Sequence, residues 1–574
     1  MKTQFEQRHG GYTSEATWRG AFWPMRLAAA GWAALFAGWL LTAALLHGQA
    51  VTNPMPHLAR QHGATQILVN GQPFLVRGGE LENSSASNLS YLRQEVWPRM
   101  VAMHFNTVIA PVYWQLIEPE DGRFDFASVD GLLRGARLNH VHLVLLWFGS
   151  WKNSMSCYAP DWVKNDPTRF PRVELADGTP VEMLSAFSSA NLQADEDAFT
   201  TLMRHLRAVD STQHTVLLVQ VENEVGIIPQ ARDYSAAANA AFEAPVPAAL
   251  TAYLAAHRHA LTPELRQAWE AHGAKTGASW PDTFGPGPLT ADLFDAWSEG
   301  HYTGEVAAAG KAVYPLPMYV NAALIPGGGR PLPEVFDIWR AAAPAIDMIS
   351  PDIYFPNFKE WANRYTVPGN PLFIPESGRA SAAQLAADSF YGYAQLDSMG
   401  FSVYAPEFLS ADDQKNLGQA YDVLQQLTPL ILARQGTGQL AGILTPASSG
   451  GKEDLSSQTV TLGGYTFKAS FVRGWPPATP DHPAPAIPGA HGGLILQLGA
   501  NDFLVAGTGM TITFGVPGLT HEQAGIDSIW EGKFVNGVWT PGRNLNGDDD
   551  NQGRWLQLPA DQFTMRRVKL YRYR

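Results

Sequence analysis

Two short acidic segments contain the residues whose types and positions could carry out chemistry. Glu222, Asn223 and Glu224 end the apolar segment TVLLVQVENE, and Glu376 ends a second one, NPLFIPE. Carboxyl groups are costly to bury without partners, so their position at the ends of hydrophobic strands favours a functional role. A protonated carboxyl facing an ionised one is the arrangement that cleavage of a glycosidic bond requires.

The spacing of the first segment distinguishes its two glutamates. A strand rises about 3.3 Å per residue, so Glu222 is expected to lie about 7 Å deeper than Glu224. A substrate at the rim would reach the outer carboxyl first. We therefore predict that Glu224 is the proton donor and that Glu222 is a buried, hydrogen-bonded support.

Other predicted strands also end in polar or aromatic residues, which we assign to substrate binding. Aromatic rings with a polar handle can stack on sugar faces, so Tyr113 and Trp147 are candidates, with ordinary core packing as the alternative. Tyr354 is a third candidate, with packing of its ring and a solvated hydroxyl as the alternative. Glu80 ends the first strand, and a buried pairing role is favoured for it over contact with a sugar.

The elements that position these residues alternate short apolar strands with amphipathic helical stretches. Eight strands are predicted at residues 73–80, 106–114, 141–149, 215–224, 317–324, 347–354, 370–376 and 401–407. Continuous apolar strands between helices indicate a parallel sheet, and eight such repeats predict a (β/α)8 barrel in an α/β fold. The longest insertion, roughly residues 227–300, follows the fourth strand. The carboxyl ends of barrel strands are the usual catalytic positions, and Glu224 and Glu376 should face each other there.

The pattern changes after about residue 430. Short alternating strands such as GLILQLG and MTITFGV are separated by Gly, Pro and Ser residues, which predicts an all-β, sandwich-like domain. We therefore predict a catalytic barrel over residues 51–430 and a C-terminal β-sandwich over residues 431–574.

The first 50 residues are predicted to be an export signal. Basic residues precede the uncharged run Leu27–Leu46, and Gly48 and Ala50 suit cleavage after Ala50. An uncleaved anchor is the alternative, because 20 apolar residues are just long enough to span a bilayer. Either reading predicts a periplasmic or secreted domain, and without the signal the mature chain is not expected to bind a membrane. The single cysteine, Cys157, excludes an internal disulfide.

Composition excludes several classes of function. The 574 residues carry a net charge of −13, which disfavours a nucleic-acid partner because phosphates would be repelled. The 16 histidines and one cysteine show no metal-ligand spacing. No metal site is therefore predicted, and cleavage of a glycosidic bond by two carboxyls needs no organic cofactor.

Three segments in order resemble glycoside hydrolase family 35, the β-galactosidases, in a bacterial branch with a C-terminal β-domain. QVENEVG is similar to the acid/base strand, PVYWQLIEPEDGRFDF to the second-strand motif, and PLFIPESG to the nucleophile strand. The resemblance covers about residues 66–574. It implies a retaining exo-acting β-galactosidase that releases terminal β-galactose from oligo- or polysaccharide side chains.

The resemblance also implies a role for each residue. Glu376 would attack the anomeric carbon, while Glu224 protonates the leaving oxygen and later deprotonates water. Asn223 would bind the sugar 2-hydroxyl, and Tyr354 would hold the nucleophile through its hydroxyl. A retaining enzyme should have its two carboxyls about 5–5.5 Å apart.

Two departures from the family keep other functions open. Many members carry a Tyr where this chain has Pro111, with Tyr113 as a possible substitute, and the segment LLWFGSW lacks the family's acid after the third strand. The alternatives are a retaining enzyme for glucosides, arabinosides or mannan, and a catalytically silent carbohydrate-binding envelope protein.

Overall fold

The computed structural model describes residues 53–228, 230–473, 484–518, 521–547, 552–560 and 562–574. The predicted signal or anchor, residues 1–50, lies outside the described residues. Within those ranges, no helix combines the length and apolar composition that crossing a membrane requires.

Eight parallel strands close into a barrel, so the predicted (β/α)8 fold is confirmed. In barrel order the strands are β4 (Val76–Glu80), β5 (Thr107–Tyr113), β6 (His142–Lys152), β9 (Val216–Asn223), β10 (Met318–Ala323), β11 (Met348–Ile353), β12 (Phe373–Ser377) and β13 (Gly400–Tyr404). Closure comes from β13, which pairs with β4 from Gly400 opposite Val76 to Tyr404 opposite Glu80. Almost every residue of these strands is buried, as expected for a parallel sheet covered on both faces.

Helices cover the barrel and fill its insertions. Those of the described residues are α1 (Leu89–Tyr91), α2 (Trp97–Ala102), α3 (Trp114–Ile117), α4 (Ala127–Leu138), α5 (Asp161–Lys164), α6 (Ser189–Asp210), α7 (Ala236–Glu243), α8 (Ala248–Ala256), α9 (Pro263–Ala271), α10 (Trp280–Phe284), α11 (Pro288–Val313), α12 (Phe336–Ala342), α13 (Phe358–Tyr365), α14 (Ala382–Gln395) and α15 (Ala411–Leu432). The insertion predicted after the fourth strand contains α7 to α10. It therefore lies at the carboxyl end of the barrel, where active sites form.

Two small antiparallel sheets were not predicted from the sequence. The strands β1 (His57–Gln61), β2 (Ala64–Val69) and β3 (Gln72–Phe74) precede the barrel, and β7 (Arg172–Glu174) pairs with β8 (Pro180–Leu184) after β6. The predicted first strand, residues 73–80, is thus two elements, because β3 pairs with β2 while β4 enters the barrel.

The C-terminal region is all-β, as predicted. One sheet has the order β14 (Leu440–Leu444), β17 (Gly492–Gly499), β18 (Asp502–Thr508), β23 (Thr564–Tyr573), β20 (Gln523–Val535) and β21 (Val538–Asn544). The other has the order β15 (Gln458–Leu462), β16 (Tyr465–Ser470), β19 (Met510–Gly515) and β22 (Trp555–Leu558). Side chains of both sheets share one hydrophobic core, so the two sheets pack as a sandwich.

The boundary between barrel and sandwich stays a prediction. Helix α15 ends at Leu432 and β14 begins at Leu440, close to the predicted division at residue 430. However, Leu494 and Leu504 of the sandwich belong to the hydrophobic core of the barrel. Residues 54–574 therefore form one compact unit.

Candidate active site

The carboxyl ends of three neighbouring barrel strands place polar side chains side by side. Asn321 lies on β10, Asp352 on β11 and Glu376 on β12, and Asp352 pairs in register with Glu376. The Asn321 amide donates to Asp352 Oδ2 at 2.7 Å and to Glu376 Oε1 at 3.3 Å. Asn321 Oδ1 also accepts from the backbone N–H of Glu224 at 2.8 Å. One amide thus links the fourth strand of the barrel to the sixth and seventh.

The two predicted catalytic carboxyls meet in one cavity. Oxygen atoms of Glu224, Asp352 and Glu376 all lie within 4.8 Å of one another. All three residues line a cavity of about 440 Å³ at the carboxyl end of the barrel. Exposed apolar side chains of Ile228 and Ile325 line the same cavity. A sugar-sized molecule can therefore reach both carboxyls between partly apolar walls.

Glu376 is held by donors on both of its oxygens. The Tyr354 hydroxyl donates to Oε2 at 2.5 Å and the Asn321 amide donates to Oε1 at 3.3 Å. Glu80 lies beside it, and burial followed by repulsion from Glu376 raises the pKa of Glu80 well above its ordinary value. Glu80 is thereby kept neutral and adds no negative charge beside Glu376.

Glu224 lies in the environment of a proton donor. Burial, followed by repulsion from Glu376, raises the pKa of Glu224 to about 7. Lys152, Asp352 and Arg330 act in the opposite direction and limit the rise. A carboxyl with this pKa is protonated for a large fraction of the time near neutral pH, as a general acid requires.

The backbone at the end of β9 is strained where these glutamates lie. Glu222 has φ of 59° and Glu224 has φ of 44°, both in the left-handed region. Such conformations cost about 1–3 kcal/mol each in non-glycine residues and cluster at functional sites. The turn sends Glu224 into the cavity and Glu222 into the protein interior.

Glu222 is the buried support that the sequence predicts. Its two oxygens accept from the backbone N–H groups of Ser150 at 3.2 Å and Trp151 at 2.6 Å. Burial, followed by repulsion from Asp195, raises the pKa of Glu222 well above its ordinary value. This carboxyl therefore fixes the end of β6, from which Lys152 reaches the cavity.

Gly149 allows this arrangement to pack. A Cβ atom there would lie 2.2 Å from Nε1 of Trp147, 2.6 Å from a Glu222 oxygen and 2.8 Å from an Asp195 oxygen. Asp195 also accepts from Trp147 Nε1 at 2.8 Å, so these groups cannot move apart freely.

Replacement of Gly149 by alanine is therefore expected to destabilise the protein by about 1–3 kcal/mol or more. The urea midpoint of unfolding measures the loss. Gly547 is the matched control, because a Cβ atom there would meet nothing within 4 Å. An unchanged midpoint for G149A would show that the Glu222 network tolerates expansion.

Two predicted substrate-binding aromatic residues need correction. Trp147 is fully buried and its indole N–H donates to Asp195 rather than facing the cavity. Tyr113 is 4% exposed, and its hydroxyl donates to the carbonyl of Asn83 at 2.6 Å. Both rings belong to the core, because β5 and β6 turn these side chains away from the opening.

The remaining predicted ligands lie next to the cavity. Tyr354 lines it, whereas Glu80 and Asn223 are buried beneath its wall. Asn223 Oδ1 accepts from Lys152 Nζ at 2.7 Å, and its Nδ2 has no partner among the described residues. A contact of Asn223 with the sugar 2-hydroxyl stays a prediction.

Several cavity residues were missed by the sequence reading. They are Lys152, Arg330, Asp352, Arg379 and Tyr404. Asp352 follows the strand-end rule and could have been found two residues before Tyr354. Lys152 was missed because β6 extends three residues beyond its predicted end at residue 149.

The three cavity carboxyls are close enough to share a metal ion. However, the Tyr354 hydroxyl and the Asn321 amide already direct donor hydrogens at Glu376 and Asp352. Lys152 and Arg330 also line the same cavity as cations. This donor set fits a bound hydroxylated molecule better than a hard cation, which prefers oxygen ligands without competing donors.

Comparison with known proteins gives a partial family match and distant structural likenesses. Residues 417–557 match a domain of unknown function, DUF5597. No match to a curated protein was found at the level of sequence. Solved structures with some likeness include three glycosidases. A β-galactosidase from the psychrophilic Marinomonas ef1 is 12% identical, with a TM-score of 0.43 over 65% of this chain and 62% of that one.

The second likeness is a β-galactosidase from Bacillus circulans sp. alkalophilus, 13% identical, with a TM-score of 0.43 over 62% of this chain and 56% of that one. The third is a β-mannanase from the blue mussel Mytilus edulis, 12% identical, with a TM-score of 0.39 over 64% of this chain and 96% of that one. The chain thus spans less than two thirds of the length of either β-galactosidase. Since these TM-scores are below 0.5, the function must be argued from the site.

Proposed function

We propose that this protein is a retaining glycoside hydrolase. The proposal rests on one observation: a carboxyl oxygen of Glu224 and one of Glu376 lie within 4.8 Å of each other in one open cavity. A separation of about 5–5.5 Å between the carboxyl groups suits a double displacement, whereas an inverting enzyme needs about 6.5–9.5 Å to admit water.

The two carboxyls have different environments, as their proposed roles require. Glu376, held by Tyr354 and Asn321, attacks the anomeric carbon and forms a glycosyl-enzyme. Glu224 protonates the leaving oxygen in that step. It then removes a proton from the water that releases the sugar, so it ends protonated again.

The sugar is the finer part of the proposal. The resemblance of the three motifs to family 35 favours an exo-acting β-galactosidase. Glucosides, arabinosides and mannan are the other candidates, because the cavity lacks the family's acid after the third strand and has Lys152 there instead. The N-terminal segment, with its predicted export signal, supports a periplasmic or secreted location. N-terminal sequencing of the protein recovered from cell fractions tests that location.

A panel of aryl β-glycosides with one common leaving group tests both the reaction and the sugar. Turnover of a β-glycoside with the β-anomer as the first product, followed by NMR, is the expected result. A first product of the α-configuration would overturn retention. Tight binding of glycosides without any turnover would favour the silent carbohydrate-binding protein.

Replacement of Tyr354 by phenylalanine is expected to lower kcat about 10- to 100-fold, because a hydrogen bond to a charged group contributes about 1.5–3 kcal/mol. The steady-state rate on an aryl glycoside measures the loss. Tyr571→Phe is the control, because Tyr571 is about half exposed on the C-terminal sandwich. An unchanged kcat for Y354F would show that the phenol does not orient Glu376.

A further inference from the structure

The cavity wall carries three cationic side chains. Lys152 comes from the end of β6, Arg330 from the loop after β10, and Arg379 from the loop after β12. Among the described residues, no carboxylate oxygen lies within 4.0 Å of a charged nitrogen of these three side chains. Other cations of the chain, in contrast, form such ion pairs. A neutral sugar would add no ion-pair partner to these cations.

The partners of the two buried cations are neutral. Lys152 Nζ donates to the amide oxygens of Asn153 at 2.5 Å and Asn223 at 2.7 Å. Arg330 donates to the carbonyl of Gly327 at 2.5 Å and to the Ser154 hydroxyl at 3.3 Å. Lys152 is 8% exposed and Arg330 is 3% exposed. Burying a cation without a counter-ion is costly, so these charges need compensation from elsewhere.

The nearby acids compensate only in part. On the side of Lys152, burial raises the pKa of Glu80, Glu224 and Asp352. On the side of Arg330, burial raises the pKa of the carboxyls of α11, which are Asp292, Asp295 and Glu299. Burial thus disfavours the negatively charged form of these acids. None of these acids forms an ion pair with Arg379, so a cation at the cavity mouth is available to a bound anion.

Arg379 is the cation with the greatest freedom. It is exposed at the cavity rim, and among the described residues it has neither a hydrogen-bond acceptor nor an ion-pair partner. Its guanidinium lies over the ring of Tyr354, 5.5 Å from the centroid. The hydroxyl of that tyrosine donates to Glu376. A planar donor group is thus available beside the place where a sugar would react.

We propose that the sugar bound beside Glu376 carries an anionic substituent, which Arg379 binds directly and which Lys152 and Arg330 attract. The inference rests on the proposed glycoside hydrolase function and specifies its substrate class. A carboxylate of a uronic acid and a sulfate ester share the required chemistry, since a guanidinium binds either with two parallel hydrogen bonds.

Four aryl β-glycosides with the same leaving group test this inference on the full chain. They are the galactoside, its 6-sulfate, the galacturonide and the glucuronide. We expect kcat/KM for at least one anionic glycoside to exceed that of the galactoside by at least about 10-fold. The preferred arm then identifies sulfate or carboxylate as the substituent. Added salt should reduce this preference, because screening weakens attraction between charges.

The variant Arg379→Met should lower the ratio of anionic to neutral kcat/KM by about 10- to 100-fold. Arg60→Met is the control, since Arg60 is exposed on β1 and does not line the cavity. That variant should leave the ratio unchanged.

Preference for the neutral galactoside, or an unchanged ratio in R379M, would overturn the inference while leaving glycoside hydrolysis in place. Absence of turnover on these four compounds and on the wider panel of aryl β-glycosides would instead overturn the proposed hydrolase, and the inference with it.

Discussion

Replacement of Glu376 by alanine is expected to lower kcat for an aryl β-glycoside by at least about 10⁴-fold, because a covalent step loses its nucleophile. The structure makes this effect specific. Glu376 is 4% exposed, lines the cavity and accepts hydrogen bonds from Tyr354 and Asn321. Among the described residues, Glu376 accepts from both of these groups, whereas Asp352 accepts from Asn321 alone. The measurement is the initial rate with an activated aryl leaving group.

Added azide provides a second test of the Glu376→Ala variant. In Glu376→Ala the small anion can occupy the space of the lost carboxylate and attack the anomeric carbon, which would yield an α-glycosyl azide. Glu264→Gln is the control, since Glu264 is exposed at the start of α9 and does not line the cavity. Activity of E376A within 10-fold of the wild type would remove Glu376 from the mechanism.

The positions of both glutamates were predictable because the signal is local in the sequence. Apolar strands that end in carboxyl groups indicate the catalytic end of a barrel, and the order of strands indicates which ends face each other. The depth difference between Glu222 and Glu224 follows from strand rise alone. The structure adds that positive φ angles at both residues separate their side chains.

The predictions that Trp147 and Tyr113 bind substrate were wrong, because a position near the end of a strand does not determine the direction of the side chain. Trp147 lies on a strand that runs on to Lys152, so the indole is inside the wall rather than at its end. Its N–H needs a buried acceptor, which Asp195 provides from helix α6, 48 residues away. A partner at that distance has no local signature.

The cations of the cavity were also beyond the reach of sequence patterns. Arg330 and Arg379 lie on loops without periodicity, and their position depends on closure of the barrel. The pKa of Glu224 depends on Arg330 together with Lys152. The pKa of Glu224 therefore follows from the assembled site and not from the sequence near Glu224.

Replacement of Glu224 by alanine is expected to lower kcat/KM by about 10²–10⁴-fold for a substrate with a poor leaving group, since that substrate needs proton donation. A dinitrophenyl glycoside needs little, so its first step should survive in the variant. The glycosyl-enzyme should then accumulate, because water lacks its base, and a burst of dinitrophenol should precede slow turnover.

The pH dependence of kcat/KM tests the same role of Glu224. Glu224 must be protonated in the first step, and its pKa is raised to about 7, so kcat/KM of the wild type should fall as the pH rises through about 7. The variant Lys152→Met removes a cation that lowers this pKa, so the alkaline limb should move to higher pH. In Glu224→Ala that limb should disappear from the residual rate on the substrate with the poor leaving group. If the alkaline decrease of kcat/KM persisted in Glu224→Ala, another group would be the proton donor. A residue that only supports the fold would change the rate when replaced, but the alkaline decrease would remain.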